Sequence, residues 1–128
     1  MNWLWVGLGG ALGSLIRAAT KHLLPSNPVL FESANATLSV NLLGCFLIGI
    51  LYQWSLSKPL SPAMTSFLMM GLLGGLTTYS TFMLDVVDMA EKKSVMLAFG
   101  YVGISVCGGL GCFWVGQWLV KRISDYLT

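Results

Sequence analysis

The sequence predicts an all-α membrane protein of four transmembrane helices. The third helix is expected to break mid-membrane, and a near balance of Lys and Arg lets the chain pair as an antiparallel dual-topology homodimer. Three observations lead there. The chain is 55% hydrophobic and only 9% charged, where a soluble domain carries about a quarter charged residues. Its apolar residues fall into four runs, each close to the ~20 residues that cross a bilayer as a helix. The stretch GGLTTYSTF, from Gly74 to Phe82, sets paired glycines and four threonine and serine side chains inside the third run.

The first span covers about residues 3–24, and Pro25 and Pro28 end it because proline cannot continue a helix. Its first charge is Arg17, and no small-residue cleavage site follows, so it reads as a retained span and not a signal peptide. The second covers about 35–56, closed by Ser57-Lys58-Pro59. The third starts at Ser61-Pro62, a favourable helix start, and covers about 62–90 with its break near 74–79. The fourth covers about 94–120 and ends at Lys121-Arg122. The short linkers leave a single domain over 1–128. Trp3, Trp5, Trp54, Trp118 and Tyr126 lie near span ends, where aromatic belts sit.

Gly74-Gly75 weakens the third helix, and Thr77-Thr78 adds β-branched crowding. A break there frees backbone groups, tolerated at membrane depth only inside protein or beside a cavity. Freed carbonyls suit a small hard cation, and freed N–H groups and hydroxyls suit an anion. The competing reading is a packing kink whose hydroxyls bond back to the helix.

Small residues recur every four positions: Gly9 and Gly13, Gly71 and Gly75, then Gly103, Cys107 and Gly111. Such spacing lets helices approach closely, within the chain or between subunits. Four spans put Lys58, Lys121 and Arg122 on one side and Lys21, Lys92 and Lys93 on the other, with Arg17 near the latter. Orientation follows the Lys/Arg bias, and here there is almost none. Such a chain could insert both ways and pair antiparallel; a single orientation set by other signals is the alternative.

Several polar groups within the spans are uncharged donors. Asn41 lies mid-span with Thr37 one turn before it, and Tyr101 and Ser105 lie one turn apart. Intramembrane polar groups usually face a bundle interior or a water path. Tyr79 and Phe82 share a helix face, and an aromatic edge carries the positive part of the ring quadrupole. Arg17 either snorkels to the interface or draws anions to a pore mouth. Asp85 and Asp88 follow the motif on the third span. Net charge is +2 with no basic patch, which argues against nucleic acid. Cys45, Cys107 and Cys112 show no CxxC and read as small core residues. No catalytic or metal-ligand set is visible, and His22 stands alone at a helix end, so no enzyme is expected.

GGLTTYSTF resembles the third-helix signature of the Fluc (CrcB) fluoride channel family. GGALGSLIR with Arg17, TLSVNLLG with Thr37 and Asn41, and the Tyr101–Ser105 spacing extend the match over essentially the whole chain. The resemblance implies an antiparallel homodimer in the bacterial inner membrane, multi-pass and embedded in lipid. It implies two passive pathways selective for fluoride over chloride, through which bacteria expel fluoride. It also implies a structural sodium ion at the dimer centre, held by backbone carbonyls that fall here on Gly74 and Thr77. The fluoride pathway falls on Asn41, Tyr79, Phe82, Ser105 and Tyr101, with Thr37, Ser80 and Thr81. Arg17 and Asp85 match vestibule positions.

Three positions depart from the family pattern. Tyr79 stands where phenylalanine is usual, and Met83 and Gly109 stand where hydroxyl residues are common. The residues alone point to an anion-permeable dimer; selectivity for fluoride comes from the resemblance. Two other readings compete: a small multidrug-type dual-topology transporter, which needs a membrane-embedded carboxylate, and an assembly protein without transport.

Overall fold

The computed structural model describes residues 2–24 and 34–127. Pro25 and Pro28, the expected stop of the first span, lie outside the described residues. All the regular structure among the described residues is helical. Helix α1 runs Trp3–Leu23 and α2 runs Ala34–Ser57. Helix α3 occupies 62–76 in three parts: an α-helical turn Pro62–Met64, a π-helical stretch Thr65–Leu73 and a last turn Gly74–Leu76. Helix α4 is Tyr79–Lys92 and α5 is Val95–Leu127.

Local chemistry sets several of these ends. The Ser61 hydroxyl accepts from the Met64 amide at 3.2 Å, with Pro62 in the first turn, where its missing N–H costs nothing. Helix α5 continues seven residues beyond Val120, where the apolar run stops. Lys121 and Arg122 end the apolar surface but are good helix formers, so they do not end the helix. At ~1.5 Å per residue its 33 residues reach about 50 Å, well beyond the ~30 Å hydrocarbon layer.

Three described helical stretches are long and apolar enough to cross a membrane: Ala34–Ser57, Pro62–Lys92 and Val95–Tyr126. Helix α1 is not among them, though it has 21 residues. Its glycines, tryptophans and Arg17 dilute its apolar character. Large apolar side chains cover the outside, with Trp3, Met96, Phe99 and Trp114 all more than 60% exposed. Such a coat matches a lipid environment and would aggregate in water.

Two glycine seams hold the helices together. Helix α1 packs on α3, and α2 packs on α5. A Cβ on Gly71 would lie 2.8 Å from the Val6 carbonyl oxygen, and one on Gly75 would lie 2.5 Å from that of Gly10. Cβ atoms on Gly9 and Gly13 would meet the carbonyls of Phe67 and Leu72. In the second seam, Gly49 faces the Phe113 carbonyl and Gly116 that of Phe46. Backbone rests on backbone in both seams, which small residues permit. Gly75→Ala therefore lowers stability by ~1–3 kcal/mol, because a carbonyl cannot swing aside as a side chain can. Gly7→Ala is the control, since nothing lies within 4 Å of its Cβ. Thermal unfolding of both variants in detergent measures the difference.

Two buried clusters flank the α3–α4 junction. Val40, Leu73 and Leu76 pack before it. Phe82, Met89, Ala98, Tyr101 and Ala34 pack after it.

Candidate functional site

Between α3 and α4 the backbone leaves helical geometry for two residues. Thr77 has φ −81° and ψ 156°, and Thr78 has φ −150° and ψ 122°, both extended. The Thr77 amide and hydroxyl both donate to the Leu73 carbonyl, at 3.0 and 2.9 Å. Hydroxyl back-bonding and a departure from the helix thus occur together. Thr78 caps α4: its hydroxyl accepts from the Thr81 amide at 3.3 Å and donates to the Thr81 hydroxyl at 3.1 Å. This is the usual work of an N-terminal threonine.

Asn41 reaches the junction from α2. Its Oδ1 accepts from the Thr78 amide at 2.9 Å, and its Nδ2 donates to the Thr78 carbonyl at 3.1 Å. In an unbroken helix the Thr78 amide would serve the Gly74 carbonyl, and the Thr81 amide the Thr77 carbonyl. Here Asn41 takes the first amide and the Thr78 hydroxyl takes the second. The carbonyls of Gly74 and Thr77 are thereby released from those helical donors. Neutral oxygens of this kind are ligands for small hard cations. Among the described residues no group of three or more His, Cys, Asp and Glu gathers as a metal site.

A cleft of about 480 Å³ opens beside the junction. Asn41, Gly44, Cys45 and Ile48 line it from α2, and Met69, Leu73 and Gly74 from α3. Thr77, Thr78, Tyr79, Phe82, Ser105 and Val106 complete the wall. The wall is mostly apolar, with a few polar groups among its residues. One of them stands out: Ser105 Oγ is buried and has no hydrogen-bond partner. Buried polar atoms in folded proteins are nearly always paired, which marks this hydroxyl as the cleft's available donor.

Three aromatic rings run inward from the cleft. Tyr79 and Phe82 have centroids 6.0 Å apart with planes at 46°, and Phe82 and Tyr101 lie 5.4 Å apart at 40°. Exposure falls along the row, from 73% at Tyr79 to 7% at Phe82 and 2% at Tyr101. The Tyr101 hydroxyl donates toward the Ala34 carbonyl at 3.4 Å and the Asp85 carboxylate at 3.5 Å. Asp85 is itself 2% exposed.

The structure therefore sorts the residues singled out in the sequence. Asn41, Tyr79, Phe82, Ser105, Gly74 and Thr77 share the cleft. Tyr101 and Asp85 form a buried layer behind it, and Thr37 is buried on α2. Ser80 and Thr81 sit in the first turn of α4 without lining the cleft. Arg17 is half-buried on α1, away from the cleft wall. Sequence reasoning missed Thr78 as a capping residue, although a threonine three before Thr81 at a helix start is a recognisable cap. It also missed Gly44, Cys45 and Met69, which carry no sequence signal beyond apolar helix. A Cβ on Gly44 would meet Thr77 Cγ2, so this glycine lets α2 approach the junction.

The family described as CrcB-like protein, Camphor Resistance (CrcB), matches residues 4–117. The chain belongs to the CrcB-like family. Every residue of the cleft lies within the region matched to CrcB, and the match ends just before Lys121. Curated relatives are close. The fluoride-specific ion channel FluC of Pseudomonas putida is 47% identical over 118 residues, covering 91% of this chain and 94% of that protein. The protein of the same name from Azotobacter vinelandii is 46% identical over 120 residues, covering 92% and 95%. A third, from Pseudomonas syringae pv. tomato, is 43% identical with the same coverage.

Proposed function

We propose that this CrcB-like chain is a passive fluoride-selective channel of the bacterial inner membrane, and that it exports fluoride. The observation that carries the reading is the Ser105 hydroxyl, buried in the cleft without a partner. A hydroxyl can donate to an anion. Asn41 adds a second donor, because its amide has two N–H bonds and Thr78 takes only one. The edges of Tyr79 and Phe82 add positive partial charge. Among the described residues no carboxylate or ammonium lines the cleft, so an anion meets weak donors it can leave as readily as it enters. Fluoride is small and strongly hydrated, and several placed donors can substitute for its water. Preference for fluoride over chloride rests on the name of the relatives.

The chain works in this reading as an antiparallel homodimer of four-span subunits, with α1 as the fourth span and the interruption at Thr77–Thr78 lying halfway across the bilayer. Three features support the pairing. Tyr79 and Val106 leave an apolar surface at the cleft, each more than half exposed. Among the described residues nothing lies within 4 Å of a Cβ on Gly74, Gly100, Gly103 or Gly111, which leaves room for a second backbone. Lys and Arg are nearly balanced between the two sides.

A sodium ion between the subunits would be held by the Gly74 and Thr77 carbonyls, and broken membrane helices present backbone oxygens to sodium in this way. It would join the two interruptions and offset their carbonyl dipoles. Tyr101 and Thr37 extend the fluoride pathway behind the rings, Ser80 and Thr81 border it, and Arg17 and Asp85 belong to the vestibule, where Arg17 draws fluoride in. A multidrug-type transporter needs a membrane-embedded carboxylate at its substrate site, and among the described residues none lines the cleft.

Cells provide the test. In a bacterium stripped of its own fluoride export, the wild-type chain restores growth in millimolar fluoride. Expression of folded protein at the membrane with no rescue would contradict the reading.

A further inference from the structure

We infer that Asn41 is a positioning residue: it holds α3 and α4 apart by pairing with the Thr78 peptide groups in place of the helix. The argument begins with Thr78. In an extended residue its own N–H and C=O point to the same side, as at a hydrogen-bonded pair of an antiparallel sheet. Thr78 has that conformation. A primary amide presents one acceptor and one donor on neighbouring atoms, which matches that edge. Asn41 makes both bonds, at 2.9 and 3.1 Å, across 37 residues of sequence. A carboxylate lacks the donor, and a serine hydroxyl is too short to reach both atoms.

The support for the amide is rigid. Asn41 sits in the unbroken helix α2 beside Val40, which is buried. Gly44, one turn on, leaves α2 close enough for contact with Thr77. The competitor for the Thr78 amide is the Gly74 carbonyl, its partner in a continuous helix. By taking that amide, Asn41 keeps the Gly74 carbonyl available to a cation. The side chain thus links the anion cleft, through its second N–H, to the proposed cation ligands. This link rests on the reading of Gly74 and Thr77 as sodium ligands; the pairing with Thr78 does not.

Two readouts separate them. Carbon-13 shifts of Thr78 in the full-length protein in nanodiscs report whether the residue is extended. Thermal unfolding in sodium against N-methylglucamine gives the sodium midpoint. Wild type and Ser105→Ala should show an extended Thr78. Asn41→Ala should shift Thr78 toward helical or averaged values and raise the sodium midpoint about tenfold, the worth of two ordinary hydrogen bonds. Asn41→Ser keeps a cleft donor and perturbs the fold less, and it should behave like Asn41→Ala. An extended Thr78 in both Asn41 variants would overturn the inference. A displaced Thr78 in both, in a protein that never responds to sodium, would uphold the pairing and refute the sodium ligands.

Discussion

Ser105→Ala leaves the protein at least as stable as wild type and slows fluoride flux by about 10- to 100-fold. The two effects have opposite signs because one atom causes both. A buried hydroxyl without a partner costs the fold ~1–3 kcal/mol, and alanine removes that cost. The same hydroxyl, as a donor to a charged ligand, is worth ~1.5–3 kcal/mol when the anion is there. On a barrier that energy is about 10- to 100-fold in rate. Ser105 lines the cleft and its Oγ has no protein partner, so no other bond confuses the result. Thermal unfolding and vesicle efflux on the same preparation measure the pair. A loss of both stability and flux would instead mark Ser105 as a packing residue.

Phe82→Ile abolishes flux to within the leak of empty vesicles, a loss of at least ~100-fold, equivalent to ~2.7 kcal/mol on the barrier. Phe82 is the middle ring of the row, 6.0 Å from Tyr79 and 5.4 Å from Tyr101. Isoleucine fills part of the volume without a quadrupole, so the anion loses the only partly positive surface between the other two rings. Phe82 also belongs to a buried cluster, and the substitution costs ~1–3 kcal/mol of stability. Flux must therefore be normalised to folded protein by size-exclusion chromatography. Wild-type flux in Phe82→Ile would show that the rings only fill space.

Much of the architecture was legible because the apolar runs are long and the linkers short. The start of α3 was readable in Ser61 and Pro62, whose capping chemistry is local. The end of α5 was not, since Lys121 and Arg122 mark where apolar surface stops and say nothing about where helical hydrogen bonding stops. The π-helical winding of Thr65–Leu73 left no trace in the sequence, where those residues read as ordinary apolar helix. The cleft was partly legible: Asn41, Tyr79, Phe82 and Ser105 stand out as polar or aromatic groups inside apolar spans. What could not be read was partnership. Asn41 reads as a group facing either a bundle interior or a water path, but its partner, Thr78, lies 37 residues away and could not be named. Thr37, Ser80 and Thr81 carry hydroxyls as Ser105 does, and it is three-dimensional placement that buries Ser105 Oγ without a hydrogen-bond partner among the described residues.

Anion efflux from proteoliposomes tests the central claim most directly, with fluoride and chloride read by ion-selective electrodes in parallel. If the cleft beside Thr77–Thr78 is a fluoride path, wild-type vesicles empty of fluoride within seconds to minutes while chloride stays inside. Rapid chloride loss without fluoride loss, or no anion loss from vesicles containing folded protein, would contradict it.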